Sequence, residues 1–303
     1  MGQDVALTTI QIGPLSIWVG ASRGKYPDGN QLLVEGSDSV ALFDTPLVSL
    51  ELDRELARAD LMILGHVHED HMVGLARLDD RPVFVHESDL AAAQSWEGLA
   101  AHYGYTDAAL DELHDKAIRQ FRYTPRPDAQ AYSDGHCWDL GRVRVRAIHM
   151  PGHTRGHCVL MIEPQGIAFI GDIDLSSFGP YYGDACSSLT DFRLTLERIA
   201  HLPASRWVTS HHKGVIDSRE AFLAQLDAFA AQLTRREARI LELLARGPAT
   251  VSEIAREGVM YRPGSATEAW MVCAEERCVI EHLQELRSQG RVVTIDPDRF
   301  AQA

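Results

Sequence analysis

The sequence predicts an α/β protein in which two β-sheets pack face to face beneath covering helices, with a small helical module behind them. Three observations carry that prediction. Short apolar runs bounded by Gly, Pro and charge alternate with helix-forming stretches, in the order strands, helices, strands, helix, strand, as far as residue 217. After Asp217 the composition shifts to helix formers. A chain of 303 residues, 45% hydrophobic and 24% charged, has ordinary globular composition and exceeds one average domain. We therefore expect a core unit at 1–217 and a helical unit at 218–303.

From residue 5 to 45 the apolar runs 15–19, 31–34 and 40–43 read as strands, separated by Tyr26-Pro27-Asp28-Gly29-Asn30 and Gly36-Ser37-Asp38. Residues 50–59 suggest a short helix. The apolar strand 60–64 then ends at Gly65, directly before a histidine cluster. Strand ends feeding polar residues are where α/β sites form. Strand 82–85 precedes a helix-rich insert, 88–122, with 90–96 and 108–121 as its pieces. The insert reads equally as a lid or as a subunit contact, so a homo-oligomer is left open. Strands follow at 138–140, 143–148, 158–162 and 167–170, then helix 190–202 and strand 207–209. Beyond 217 we expect helices at 219–233, 237–245, 251–257 and 266–288, and a closing strand at 291–295. Gly247-Pro248 stops one helix, and Thr250 or Ser252 caps the next.

With 29 basic and 43 acidic residues, the formal charge is −14. Such a balance disfavours nucleic acid and anionic membrane as partners. From Ser218 onward the charges are nearly even, which favours packing on the core over DNA reading. Residues 1–16 show no positive cluster followed by an apolar core, and no apolar run approaches 18 residues. The expectation is a soluble, cytoplasmic chain. Five scattered cysteines imply no disulfide framework, and Cys273 and Cys278 have neither redox nor zinc-finger spacing.

Gly65-His66-Val67-His68-Glu69-Asp70-His71 places three histidines and two carboxylates directly after a buried strand. Neutral imidazole and carboxylate suit a borderline divalent cation such as zinc, and two ions can be held if distant residues complete each shell. Candidates to complete them stand near later strand ends: His153 in Pro-Gly-His-Thr, Asp172 in Gly-Asp, and the pair His211-His212. Two cations bracketing a water lower its pKa from about 15.7 toward about 7, and they also polarise a carbonyl or phosphoryl oxygen. Asp70 would orient the attacking hydroxide or pass a proton to the leaving group. A serine-triad reading is the weaker one, because serines near histidines occur by chance in a chain of this length.

Through His-x-His-x-Asp-His at 66–71, Pro-Gly-His-Thr at 151–154, Gly-Asp at 171–172 and the late histidine, residues 5–217 resemble the metallo-β-lactamase superfamily. The resemblance implies an αββα sandwich with a binuclear site at the sheet edge, here carrying a small C-terminal helical, winged-helix-like domain. By that resemblance, His66, His68 and His153 bind the first metal, Asp70, His71 and the late histidine bind the second, and Asp172 bridges. The strand end and Ser210 favour His211 as the late ligand, whereas the Gly-Val-Ile tail favours His212. Both are carried. His157 reads as a hydrogen-bonding neighbour of the site rather than a ligand.

Asp172 and the additional His71 resemble the branches that cleave thioesters, lactones or phosphodiesters. The expected function is a dinuclear metal-dependent hydrolase of a small ester, thioester, lactone or phosphoester. Zn²⁺ is the favoured ion, with Fe or Mn open. The alternatives are a nuclease of the same superfamily, or a non-enzymatic metal sensor using the C-terminal module. Lys213, Lys25 and Tyr181 are the candidate contacts to a small-molecule substrate.

Overall fold

The structure is a computed structural model that describes residues 7–78 and 80–303. The start of the first expected strand region and of the 1–217 unit, residues 1–6, lies outside the described residues. One seven-stranded sheet runs in sequence order: β1 (Thr9–Ile12), β2 (Leu15–Trp18), β3 (Gln31–Glu35), β4 (Val40–Phe43), β5 (Leu61–Ile63), β6 (Val83–His86) and β7 (Gln130–Tyr132). The first four are antiparallel, and β4 to β7 are parallel.

The second sheet has six strands in the order β13-β12-β11-β10-β9-β8: β8 (Cys137–Asp139), β9 (Arg144–His149), β10 (Cys158–Glu163), β11 (Ile167–Phe169), β12 (Arg206–Val208) and β13 (Val215–Ile216). Only β11 and β12 pair in parallel.

Strand periodicity explains the layering. Successive side chains point to opposite faces. Leu32, Phe43 and Ile63 of the first sheet meet Val145, Leu160 and Phe169 of the second in the inter-sheet core. Their neighbours Leu33, Leu42 and Met62 pack outward, as do Val159 and Ala168 from the other sheet. With both faces buried, the central strands are apolar throughout and not alternating.

Helices cover both outer faces. Over the first sheet lie α1 (Asp53–Leu56), α2 (Leu90–Gln94), α3 (Trp96–Tyr103) and α4 (Asp107–Arg119), which contribute Leu56, Ala93, Leu99 and Leu113. Over the second lies α5 (Leu189–Ile199), with Phe192 and Leu196 inward. The architecture is therefore the expected αββα sandwich. The short helix expected at 50–59 resolves into a 3₁₀ turn, Leu47–Glu51, and α1.

The C-terminal helices differ from expectation in one respect. The two expected at 219–233 and 237–245 form a single helix, α6 (Arg219–Leu244), capped by the Ser218 hydroxyl on the Ala221 N–H. Its first half joins the sandwich through Phe222, Leu226 and Phe229, and its last turns join a separate cluster through Ile240, Leu243 and Leu244. Then come β14 (Ala249–Thr250), α7 (Val251–Arg256) with a Thr250–Glu253 capping box, α8 (Ala269–Ser288), β15 (Val292–Asp296) and β16 (Arg299–Gln302), in a small sheet ordered β14-β16-β15. The helical insert is met by this module: Lys116 of α4 pairs with Glu268, and Glu112 accepts from the Ala269 N–H. Among the described residues no helix is long and apolar enough to cross a membrane.

Candidate metal centre

Four strand ends open onto one rim of the sandwich. β5 feeds His66, Val67 and His68, and a 3₁₀ turn, Glu69–His71, follows at once. The turn is fixed by two buried aspartates. Asp44, just after β4 and with φ of 51°, accepts from the Gly65 N–H at 2.8 Å. Asp89 accepts from the Val67 N–H, the Thr154 hydroxyl and the Gly156 N–H, tying this turn to the one that carries His153. There Gly152 adopts φ of +133°, and a Cβ on it would lie 2.3 Å from the Cα of Phe192. The Pro-Gly-His sequence is thus a close approach of backbone to α5 that only glycine permits.

The imidazoles converge. His66 Nε2 lies 3.2 Å from His153 Nε2, and donor atoms of His66, His68 and His153 lie within 4.8 Å of one another. Asp70, His71 and His211 form a second such group, with His211 Nε2 3.2 Å from Asp70 Oδ2. Asp172 lies between them. Its Oδ2 is 3.4 Å from His153 Nε2 and 3.9 Å from His66 Nε2. Its Oδ1 is 3.3 Å from His71 Nε2 and 3.6 Å from His211 Nε2.

Four of the five imidazoles have their other nitrogen pinned. His68 Nε2 donates to Asp184 Oδ2 at 2.9 Å, and His71 Nδ1 donates to Asp44 Oδ2 at 2.9 Å. His153 Nδ1 donates to the Tyr181 carbonyl at 3.0 Å, while His211 Nδ1 donates to the carbonyls of Asp28 at 2.8 Å and Gly24 at 3.2 Å. Each bond fixes a tautomer whose remaining nitrogen is free for a ligand.

These donors fit a cation. His71 Nε2 and Asp172 Oδ1 are buried 3.3 Å apart without a hydrogen-bond partner among the described residues, and His66 Nε2 faces His153 Nε2 at 3.2 Å. Imidazole and carboxylate are also the donor types that a borderline divalent ion prefers.

The electrostatics divide the cluster. Burial, then the neighbouring His71, holds His66 well below the ordinary imidazole value, and burial with His68 brings His153 down to about 3. Burial lowers His68, His71 and His211 as well, but carboxylates outweigh it. Asp184 pushes His68 up to about 9, Asp172 and Asp70 push His211 up to about 9, and Asp70, Asp172 and Asp44 raise His71 well above its usual value. Against its own burial, Asp172 is held far below the carboxylate range by His211, His71 and His66.

The structure brings His66, His68, Asp70, His71, His153, Asp172 and His211 together. It does not bring in His212, whose φ of 56° turns its ring out to Asp174 Oδ2 at 3.5 Å. Lys25 and Lys213 are both exposed and stand beside His212, where their charge helps burial depress its basicity. Tyr181 is half-buried, with its hydroxyl on Asp184. His157 Nδ1 donates to the Met150 carbonyl, and its Nε2 accepts the Asp172 N–H. Sequence reasoning missed Asp44, Asp89 and Asp184. Lone aspartates far from the motif carry no spacing signal.

The family model described as "Metallo-beta-lactamase superfamily" matches residues 27–227. The chain belongs to this superfamily. It is a metal-dependent hydrolase of that kind. It is similar to the acyl-coenzyme A thioesterase MBLAC2 of Homo sapiens, 29% identical over 202 residues, covering 58% of this chain and 70% of the relative. An atrochrysone carboxyl ACP thioesterase of Aspergillus fumigatus is 26% identical over 202 residues, covering 67% of this chain and 43% of that one. Among solved structures, a metallo-beta-lactamase family protein from Thermus thermophilus superposes with a TM-score of 0.73 at 24% identity, over 96% of this chain and 99% of the other. That likeness extends the shared fold of the superfamily member through the C-terminal module.

Proposed function

We propose that the chain is a dinuclear thioester hydrolase. His66, His68 and His153 would hold one divalent ion, Asp70, His71 and His211 the other, with Asp172 between them. The observation that supports this most directly is the Asp172 carboxylate, with one oxygen toward each group. Zn²⁺ is the ion we favour, since histidine and carboxylate donors suit it. Bound ions of this kind lower the pKa of water to about 7 and polarise a carbonyl.

The protein's own part is positioning. Asp172 sets the spacing of the two groups. Asp70 Oδ2, which faces His211 Nε2, orients the attacking water or passes a proton to the leaving sulfur. The water oxygen bonds to the carbonyl carbon, the C–S bond breaks, and the products are a carboxylate, a thiol and a proton.

The thioester class rests on the names of the two relatives. Tyr181 beside the cluster, and Lys25 and Lys213 beyond His212, are the proposed contacts to substrate. The formal charge of −14 argues against a nucleic-acid substrate. The division into a catalytic unit 1–217 and a winged-helix-like unit 218–303 belongs to the same proposal, as does a cytoplasmic location. Zn²⁺-loaded protein tested on acyl-CoA thioesters, nitrocefin and bis(p-nitrophenyl) phosphate should release thiol with the highest kcat/KM, and chelation should abolish it. No thiol release from any acyl chain length would sink the substrate class. Hydrolysis that survives chelation would sink the metal.

A further inference from the structure

The loop of residues 178–184 reaches two of the proposed metal ligands at once. The Tyr181 carbonyl pins His153 Nδ1, and the Asp184 carboxylate pins His68 Nε2. Asp184 is fully buried and also accepts from the hydroxyls of Tyr105 and Tyr181. Nothing in the sandwich motif sequences specifies where this loop lies.

The helical insert holds the Asp184 end of this loop, through the Tyr105 hydroxyl and the carbonyls of Tyr103 and His102 that accept from the Ala185 and Cys186 N–H groups, and the C-terminal helices hold the rest. Arg236 of α6 is buried, with 4% of its surface exposed, although it sits on a helix that could have offered it to solvent. Its guanidinium donates to the Pro180 carbonyl at 2.5 Å and the Phe178 carbonyl at 2.7 Å. The same group lies 5.3 Å from the ring centroids of both Phe178 and Tyr182. Tyr182 is fully buried, and its hydroxyl pairs with His282 Nε2 of α8 at 2.8 Å. At Gly183 a Cβ would lie 2.6 Å from Cβ of Ala274, so the loop backbone lies flush on α8. Burying a guanidinium is costly unless its donors find partners, and the two bonds it makes here both go to main-chain carbonyls of one loop.

We propose that the C-terminal module is part of the metal centre, with Arg236 a positioning residue that holds loop 178–184 and, through it, the ring orientations of His68 and His153. The inference rests on the reading that these two histidines are ligands. It assigns the module a task at the site rather than a nucleic-acid or partner surface. It also predicts asymmetry, because His71 and His211 are pinned by Asp44, Asp28 and Gly24, none of which belongs to the loop.

The test is Zn²⁺ binding to metal-free protein by competition with a chromophoric chelator, on the full chain, with melting of the metal-free forms as the control on folding. In Arg236→Met one of the two Zn²⁺ equivalents should weaken about 10- to 100-fold, the range for losing the support behind a ligand, while the other is unchanged. Asp184→Asn should weaken the same equivalent. The double variant should fall short of the product of the single effects, as expected for two residues acting through one path. Arg236→Lys, keeping the charge without the planar fork, should recover part of the loss. If Arg236→Met does not fold, Arg236→Lys against wild type is read in its place. Wild-type uptake of two equivalents with both Arg236 variants unchanged, or both equivalents weakened alike, overturns the clamp alone. A wild-type chain that takes up no Zn²⁺ overturns the metal reading beneath it.

Discussion

His68 and His71, on the turn after β5, are each pinned by a buried carboxylate, whereas His153 and His211, at the ends of β9 and β12, are pinned by main-chain carbonyls. Both kinds of partner fix a tautomer, but only a carboxylate adds charge that raises the basicity of the ring. The motif half of the cluster is therefore tuned by side chains that one substitution can remove. The other half is oriented by where two loops run, and no side-chain substitution removes a carbonyl, although Asp172 and Asp70 still raise the basicity of His211. Asp70 stands between His71 and His211, and Asp172 reaches further across both halves, with His66, His71, His153 and His211 all within 3.9 Å of its carboxylate.

The largest effect should follow from breaking that shared group. Asp172→Ala leaves the two sets of imidazoles without the charge between them. The expected outcome is loss of one Zn²⁺ equivalent and a fall in kcat/KM for thioesters of about 10³-fold or more, the several kcal/mol that a metal centre contributes. Retention of both equivalents at wild-type affinity would falsify the bridging placement. Next in size is the contrast between neighbours. His211→Ala should cost a Zn²⁺ equivalent and most activity, while His212→Ala, whose ring faces Asp174, should change kcat/KM by less than about threefold. Equal losses in the two would mean that the turn at Ser210–Lys213 rearranges when metal binds.

The carboxylate half can then be probed by itself. Asp44→Asn keeps shape and a hydrogen-bond acceptor for His71 but removes the charge, so affinity for one Zn²⁺ should drop about 10- to 100-fold, with little change in the fold. A drop much smaller than tenfold would show that Asp44 serves mainly the Gly65 N–H and that the two halves are tuned alike.

These contrasts also mark what the sequence could convey. Residues 66–71 were legible because five donors in six positions after an apolar strand have few other uses. His153 and Asp172 were legible because each follows a strand and a glycine. The choice between His211 and His212 was not, since adjacent side chains diverge and the deciding variable is the positive φ of His212. Asp44, Asp89 and Asp184 were invisible because their partners come from distant segments. The fold was read well in its central strands and poorly at its edges: β1, with no fully buried residue, and the three-residue β7 carry too weak a pattern. The expected break near residues 234–236 is instructive. Thr234-Arg235-Arg236 interrupts the apolar stripe of α6, yet Arg236 faces inward to bond the carbonyls of loop 178–184, so a charge that reads as a helix boundary is a buried contact.

The last expected effect, on stability and not on metal binding, concerns a histidine with neither kind of strong partner. His282 of α8 is fully buried, its Nε2 on the Tyr182 hydroxyl and its Nδ1 without a partner among the described residues. Burial first, and then the charges of Arg236 and Arg193, hold it down to about 3, although Glu237 and Glu285 lie close by, both paired with Arg193. Its unfolded value is about 6.5, so between about pH 6.5 and about pH 3 the unfolded chain binds one proton more than the folded one. Stability from this group is complete above that window and falls with acid by up to about 1.4 kcal/mol per pH unit. Urea unfolding of metal-free wild type and His282→Gln from pH 7.5 to 4.5 isolates the contribution, since every other titrating group cancels in the difference. The variant should start out less stable and lose stability more slowly as pH drops, so that the two curves converge. Parallel curves would mean that His282 takes up its proton inside the folded protein, with Glu237 and Glu285 and not Arg236 and Arg193 setting its charge.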